Sequence, residues 1–174
     1  MAPQGVAPPL DFWSLTKAAS QATFGCGEKQ VDDYFRDQAW KQHERTTHRV
    51  TCCSTLSNPS AAGFYSLACI TEEIRKLPGH HYAMFGQSRY FPCLQLAWIG
   101  VHRPMQGARI GLAMLGRVVT LFAEFGSEIG LPHLIVVPIS EDVKRFYRKM
   151  GFEDYDGGSR MFLPLQVARA AVET

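Results

Sequence analysis

The sequence predicts a single mixed α/β domain, a central sheet carrying helices on both faces. Apolar or β-branched runs of strand length recur at 48–56, 64–71, 93–101, 131–139 and 157–165. Helical stretches at 26–45, 110–126 and 140–152 precede or separate them. The 174 residues, 46% hydrophobic and 20% charged, are enough to bury one core and too apolar for a disordered chain.

Each element follows from its residues. MAPQGVAPP (1–9) has three prolines and no periodicity, so residues 1–10 read as a loose tail. CGEKQVDDYFRDQAWKQHER (26–45) reads as the first substantial helix. Val31, Tyr34, Phe35, Gln38, Ala39 and Gln42 form one mostly apolar stripe, with Arg36, Lys41 and Glu44 outside it. Gly27 precedes this helix, and Glu28, Asp32 and Asp33 suit its positive end. HRVTCCSTL (48–56) and FYSLACIT (64–71) read as strands joined by a turn over SNPSAAG (57–63), an antiparallel hairpin. Residues 72–92 have no clean period and read as a loop or short helix. CLQLAWIGV (93–101) is apolar nearly throughout and should be central, as should LPHLIVVPI (131–139) after the long helix. In SEDVKRFYRKMGF (140–152), Ser140 is an N-cap, Glu141 and Asp142 fill the first turn, and Gly151 ends the helix. GGSRMFLPL (157–165) is the last strand, and 166–174 reads as a frayed tail.

Composition excludes some function classes. A net charge of +2 is too small to announce a nucleic-acid binder, although a local basic patch fits inside it. No apolar run is read as approaching the roughly 18 residues of a membrane span, and the N-terminus lacks a secretory pattern, so a cytoplasmic location is expected. Five cysteines, Cys26, Cys52, Cys53, Cys69 and Cys93, form no ligand spacing; they read as reduced, buried thiols, and no metal is expected.

The chemistry concentrates in QGARIG (106–111). A central strand, a glycine-containing turn and a helix start leave several backbone N–H groups pointing one way, which suits an anion. Strand–Gly–helix junctions are common, so the spacing alone leaves a phosphate cradle and a plain polar connection both open.

Taken with the strand before it and the helix after the next strand, this loop resembles that of the GNAT (Gcn5-related) N-acetyltransferases, over roughly residues 48–165. The resemblance implies the GNAT fold, with one mixed, mostly antiparallel sheet, and acetyl-CoA as co-substrate. The family's loop runs Gln/Arg-x-x-Gly-x-Gly/Ala and holds the pyrophosphate. Gln106, Gly107, Ala108, Ile110 and Gly111 fit, while Arg109 stands where glycine is usual. Left-handed backbone there would cost a non-glycine residue about 1–2 kcal/mol. Ordinary helical geometry would cost nothing, and it is the expectation. The implied cofactor contacts are Ile99, Gly100, Val101, Gln106, Gly107, Ala108, Arg109, Ile110, Gly111 and Ser140. In FYRKMGF, Tyr147 occupies the place of a tyrosine that protonates the departing thiolate. A phenol, with a pKa of about 10, is still protonated at neutral pH and can donate that proton. Candidate bases are His102, Glu72 and Glu73, none compelling from sequence. An α-amine, with a pKa of about 7.7–8.0 against about 10.4 for lysine, has less need of one.

FGCGEKQVDDYF (24–35), FPCLQLAWIGV (91–101) and SRMFLPL (159–165) resemble segments of the GNAT toxins of bacterial toxin–antitoxin modules. Phe24, Cys26, Gly27, Asp32 and Tyr34 line up with the first. That resemblance implies acetylation of the α-amine of aminoacyl-tRNA, a block of translation, and a DNA-binding antitoxin; a homodimer is also expected. Trp98 departs from it, standing where those toxins commonly carry arginine. Tryptophan stacks on a base or a side chain but cannot pair with phosphate. Two basic clusters are candidate phosphate contacts: Lys41, Arg45 and Arg49 with His43 and His48, and Arg75, Lys76 and Arg89 with His80 and His81. Trp98, Arg45, Arg49, Arg75 and Lys76 are the candidate substrate residues. Two other readings stand beside this one, a GNAT enzyme of protein N-termini or small amines and a non-catalytic acyl-CoA-binding module.

Overall fold

A computed structural model describes residues 6–173 of the chain. These residues form a seven-stranded sheet in the order β1-β2-β3-β4-β5-β7-β6. The strands are β1 (Leu10–Ser14), β2 (Arg49–Thr55), β3 (Asn58–Glu73), β4 (Tyr90–Val101), β5 (His133–Val136), β6 (Glu153–Tyr155) and β7 (Arg160–Pro164). The chain divides into two compact units, one running up to Ala68 and including Ala97–Arg117, the other comprising Cys69–Leu96 and the residues from Val118 on.

In the first unit, β1 pairs antiparallel with β2 from Leu10↔Thr55 to Ser14↔Thr51. β2 in turn pairs antiparallel with β3 from Arg49↔Leu67 to Cys53↔Gly63, then shifts register to Thr55↔Asn58. The turn is therefore only Leu56–Ser57, and most of SNPSAAG is strand. Gly63, expected in the turn, instead answers a packing demand within β3. A Cβ there would stand 2.8 Å from Met114 Cε and 3.0 Å from Gly100 O. β1 was not foreseen from sequence, and it takes Leu10 out of the expected loose tail. The short α1 (Lys17–Ser20) follows, capped by Thr16, whose hydroxyl accepts from Ala19 N at 3.1 Å.

The expected helix at 26–45 is present as α2 (Lys29–Tyr34), a π-helical turn (Phe35–Ala39) and α3 (Trp40–Glu44). Val31, Tyr34, Phe35 and Ala39 are buried, as the stripe predicted, and pack with Leu15, Val50, Cys52 and Phe64. Phe24, Phe35 and Phe64 meet ring to ring at 4.7–5.3 Å. Burying such rings is the main local driving force, about 1.5–3 kcal/mol for each large side chain.

In the second unit, β4 pairs parallel with β5 (Leu94↔Leu134 to Leu96↔Val136), and β7 pairs antiparallel with both β5 and β6. Ile74, Leu77, Phe91, Cys93, Ile135, Tyr155 and Phe162 form its core. The 72–92 stretch is short 3₁₀ turns, Ile74–Lys76 and Gly79–Phe85, between longer strands than expected. The frayed tail is corrected: α6 (Leu165–Val172) is a helix whose Ala168 is fully buried.

The long helix is α4 (Ile110–Ile129). Against the reading of no apolar run of that size, it is long and apolar enough to cross a membrane by length and composition. Its apolar content serves packing, because Ile110, Met114, Leu115, Val118, Val119 and Phe122 are all buried. α5 (Glu141–Lys149) starts where Ser140 accepts from Val143 N, as expected.

Candidate active site

β4 ends in Ile99, Gly100 and Val101, and a tight 3₁₀ turn, Arg103–Met105, carries the chain to Gln106. Gly100 is required by crowding: an added Cβ would lie 2.9 Å from Val31 Cγ1. The loop is then set by backbone geometry. Gly107 has φ 86°, and Arg109 has φ 60°. The expectation of ordinary helical geometry at Arg109 is therefore corrected. A non-glycine residue sits in left-handed backbone, at a cost of about 1–2 kcal/mol. Glycine would stand there without strain, in keeping with the residue usual at this place in the family's loop.

The left-handed step turns the chain straight into α4. The Arg109 carbonyl accepts from Ala113 N at 3.1 Å, so the N–H groups of Ile110, Gly111 and Leu112 lie ahead of the first intrahelical bond. Arginine has no acceptor to cap them. Among the described residues no side chain bonds these three amides, in contrast to α5, where Ser140 does. Ser140 is thus a cap by observation. Gly111 leaves ordinary room toward Val101 Cγ2 at 3.5 Å, and Ile110 anchors the first turn in the core. Ala108 and the Arg109 side chain are exposed. The result is an open, positively polarised helix end with a guanidinium beside it, suited to a phosphate group.

Gln106 does something sequence did not foretell. Its Nε2 donates to Cys26 O at 2.7 Å and to Val101 O at 3.0 Å. Beside it, Arg103 N donates to Gly25 O at 2.8 Å, and His102 Nδ1 lies 3.2 Å from Gly25 N. The FGCG segment is thereby fastened to the loop. Asp32 closes the segment from the other side, accepting from Cys26 N at 2.7 Å and Gly27 N at 3.2 Å. Burial opposes ionisation of Asp32, but those N–H groups hold its carboxyl below the usual range. Cys26 is buried, and burial pushes its thiol up to about 11, so it is an inert packing residue. Cys69 is exposed, contrary to the expectation of five buried thiols.

Trp98 lies on β4, half-buried, and stacks on Tyr34 with ring centroids 4.6 Å apart at 14°. The Tyr34 hydroxyl shares a 2.8 Å hydrogen bond with Ser66, fixing the pair. Sequence singled out Trp98 but missed Tyr34 as its partner; the available signal was the apolar stripe that carries Tyr34.

In the second unit, Tyr147 stands in the last turns of α5, between Phe146 (5.7 Å) and Phe152 (5.2 Å). The side chain is buried, which pushes its phenol well above the usual range and keeps the proton on it. Its hydroxyl has no hydrogen-bond partner among the described residues, so the proton is not committed elsewhere.

The candidate bases are engaged. Glu72 is buried and ion-paired with Arg160, with Lys76 at 3.9 Å. Glu73 holds Arg75 at 2.6 Å and Arg89 at 3.5 Å, and this pairing keeps its carboxyl low. Lys76 also meets Asp156 at 3.4 Å. Arg75 and Lys76 are thus balanced by carboxylates, while Arg45 and Arg49 are exposed with no ion pair in the described chain.

No family profile matches the chain. It is 26% identical over 139 residues to a tRNA-acetylating toxin of Mycobacterium tuberculosis, covering 80% of this chain and 81% of that one. Among solved structures it is similar to a Tyr-to-Phe variant of KacT, at TM-score 0.83 and 20% identity over 93% of this chain and 98% of that one. It is also similar to AtaT complexed with acetyl-methionyl-tRNAfMet, at TM-score 0.82 and 20% identity over 95% and 100%. AtaTR bound with acetyl-CoA matches at TM-score 0.78 and 20% identity over 94% and 98%. The fold is the GNAT fold that these toxins share, as the loop and FYRKMGF motifs implied.

Proposed function

We propose that this chain is an acetyl-CoA-dependent N-acetyltransferase acting on the α-amino group of aminoacyl-tRNA, a toxin that blocks translation in the bacterial cytoplasm. The observation that carries the reading is the uncapped N-terminus of α4 behind two left-handed residues, Gly107 and Arg109. A phosphate-bearing coenzyme fits amides with no other partner. The similarity to a tRNA-acetylating toxin and to an enzyme solved with acetylated methionyl-tRNA supports the acceptor.

The amides of residues 107–111 and the Arg109 guanidinium hold the coenzyme's phosphates, with Ile99, Gly100 and Val101 beside its acyl arm. The neutral α-amine attacks the thioester carbonyl, the carbon–sulfur bond breaks, and Tyr147 gives its proton to the departing thiolate. The nitrogen of the new amide releases one proton to solvent, and solvent returns one to Tyr147, so the phenol is restored for the next turnover. With Glu72, Glu73 and His102 each held by other groups, a substrate already partly neutral at pH 7–8 suits the site better than a lysine amine. Arg45 and Arg49 meet tRNA phosphates. A DNA-binding antitoxin is the expected protein partner, in keeping with neighbours solved with antitoxin AtaR and with DNA.

The test incubates the protein with radiolabelled acetyl-CoA and total charged tRNA. Label in the base-labile aminoacyl fraction is the expected result. Label on a free peptide N-terminus with none on charged tRNA would overturn the substrate, and no label on any amine would overturn the enzyme.

A further inference from the structure

We propose that the groove along the exposed face of α2 and its π-turn seats one unpaired nucleotide whose base carries an exocyclic amine, cytosine or adenine. The proposal rests on the aminoacyl-tRNA reading and names the part of that substrate the groove would hold. The groove is open to solvent, has a volume of about 350 Å³ and is lined by Gln30, Asp33, Tyr34, Asp37, Gln38 and Trp98. That volume lies at the low end for small-ligand sites, suited to a single ring system. The five helical residues are spaced i, i+3, i+4, i+7 and i+8, so they share one face. Trp98 enters from β4.

The floor is aromatic and rigid. Tyr34 is stacked on Trp98 and anchored through Ser66, so the floor is formed before any ligand arrives. The π-turn Phe35–Ala39 lies within this face, and such turns recur at functional sites. The polar groups then select the occupant. Neither Lys nor Arg is among the lining residues, so phosphate does not belong inside the groove. A free organic cation is disfavoured as well, because the carboxylates are already balanced. Arg36 reaches Asp33 at 2.6 Å and Asp37 at 2.8 Å, and Lys29 pairs with Asp33.

What is left is a neutral planar group with N–H donors. The remaining lone pairs of Asp33 and Asp37 accept from an exocyclic amine. The Gln30 and Gln38 amides, which bond to nothing among the described residues, offer both a donor and an acceptor. Uracil presents carbonyl oxygens where those carboxylates stand and is rejected. Arg36 is exposed at the rim, where it can meet the phosphate joined to the seated base. The unpaired CCA end shared by tRNAs supplies such nucleotides.

The experiment titrates the isotope-labelled full chain with the uncharged ribotrinucleotides CCA and UUU, following the Trp98 indole N–H and the Gln30 and Gln38 side-chain amides by NMR. CCA is expected to shift these signals and to bind at least about tenfold more tightly than UUU. Gln30→Ala with Gln38→Ala, both at exposed positions, should bring the two ligands together. Trp98→Leu should weaken both by about tenfold. Equal binding of CCA and UUU, shifts confined to other residues, or argininamide displacing CCA from these signals would overturn the proposal. No aminoacyl ester or turnover is involved. A chain that binds CCA here without acetylating charged tRNA loses only the functional reading, and a chain that acetylates charged tRNA with a silent groove loses only this one.

Discussion

Gln106 Nε2 donates to the carbonyl oxygen of Cys26 at 2.7 Å, joining two segments 80 residues apart in sequence. The coenzyme loop and the FGCG segment are therefore one structural piece, and Gln106 acts by positioning. Its second bond, to Val101 O at 3.0 Å, ties the loop to the strand that precedes it. Gln106→Ala removes both hydrogen bonds, which should lower stability by about 0.5–1.5 kcal/mol. Gln106→Arg keeps N–H donors at this place and should restore most of the loss. Thermal melts of both variants, with calorimetry of acetyl-CoA binding, make the check; an unchanged melt for Gln106→Ala would remove Gln106 from this role.

Arg109 stands in strained left-handed backbone, φ 60°, at the step into α4. Arg109→Gly relieves that strain while giving back some of it through the larger freedom of an unfolded glycine. A net gain of about 0.5–1.5 kcal/mol is expected. The same change removes the guanidinium, so acetyl-CoA affinity should fall as stability rises. Opposite signs in the two measurements are the signature. A variant that loses stability, or one that keeps full affinity, would contradict it.

These two residues show where sequence was legible and where it was not. QGARIG and FYRKMGF could be read because their chemistry is local: a turn, a helix start and a phenol in a recognisable order. The partner of Gln106 could not, because it depends on where a distant segment docks, and the φ of Arg109 was misread because arginine favours ordinary helical backbone. β1 and β6 were missed for the same reason. LDFWS and EDY are short, and their pairing comes from strands far away in sequence or from the opposite side of a turn. SNPSAAG was misread because Pro59 and Gly63 look like punctuation, whereas Gly63 is set by the close approach of Met114 and Gly100. α6 looked like a tail because its single deep anchor is the small Ala168.

Tyr147→Phe separates chemistry from folding. The ring is buried and the hydroxyl makes no hydrogen bond in the described chain, so its loss should leave the melt nearly unchanged. Turnover should drop about 10²–10⁴-fold with acetyl-CoA affinity intact. Full turnover in a folded variant would return Tyr147 to a packing role.

His133 gives the fold a dependence on acid. It is fully buried, with neither ring nitrogen hydrogen-bonded, against Phe91 at 5.2 Å and Phe162 at 5.1 Å. Burial, helped by the nearby His81, depresses its pKa from 6.5 to about 4. Between those values the unfolded chain binds the proton and the folded chain does not. Stability is therefore full above pH 6.5 and falls as pH drops toward 4, by up to about 3 kcal/mol at about 1.4 kcal/mol per unit. His133→Phe should flatten that part of the curve. Urea denaturation at pH 7, 6, 5 and 4.5 reads it out, and an equal slope in both proteins would mean that other groups carry the acid response.

Charge reversal distinguishes the two basic clusters. Arg45 and Arg49 are exposed and unpaired in the described chain, so Arg45→Glu with Arg49→Glu removes long-range attraction without breaking a contact. Acetylation of charged tRNA should fall through KM, with the melt and acetyl-CoA affinity preserved. Each lost phosphate contact should lower the slope of log KM against log salt by about 0.7–0.9, so the gap between variant and parent closes as salt rises. Arg75 and Lys76 are a different case, because Glu73, Glu72 and Asp156 already hold them. Lys76→Glu sets a carboxylate against the buried Glu72 and should lower the melting temperature first, with activity following stability. Should the Arg45/Arg49 variant keep its KM and salt slope while Lys76→Glu raises KM and flattens the slope at an unchanged melt, the tRNA path would run over the second cluster instead of the first.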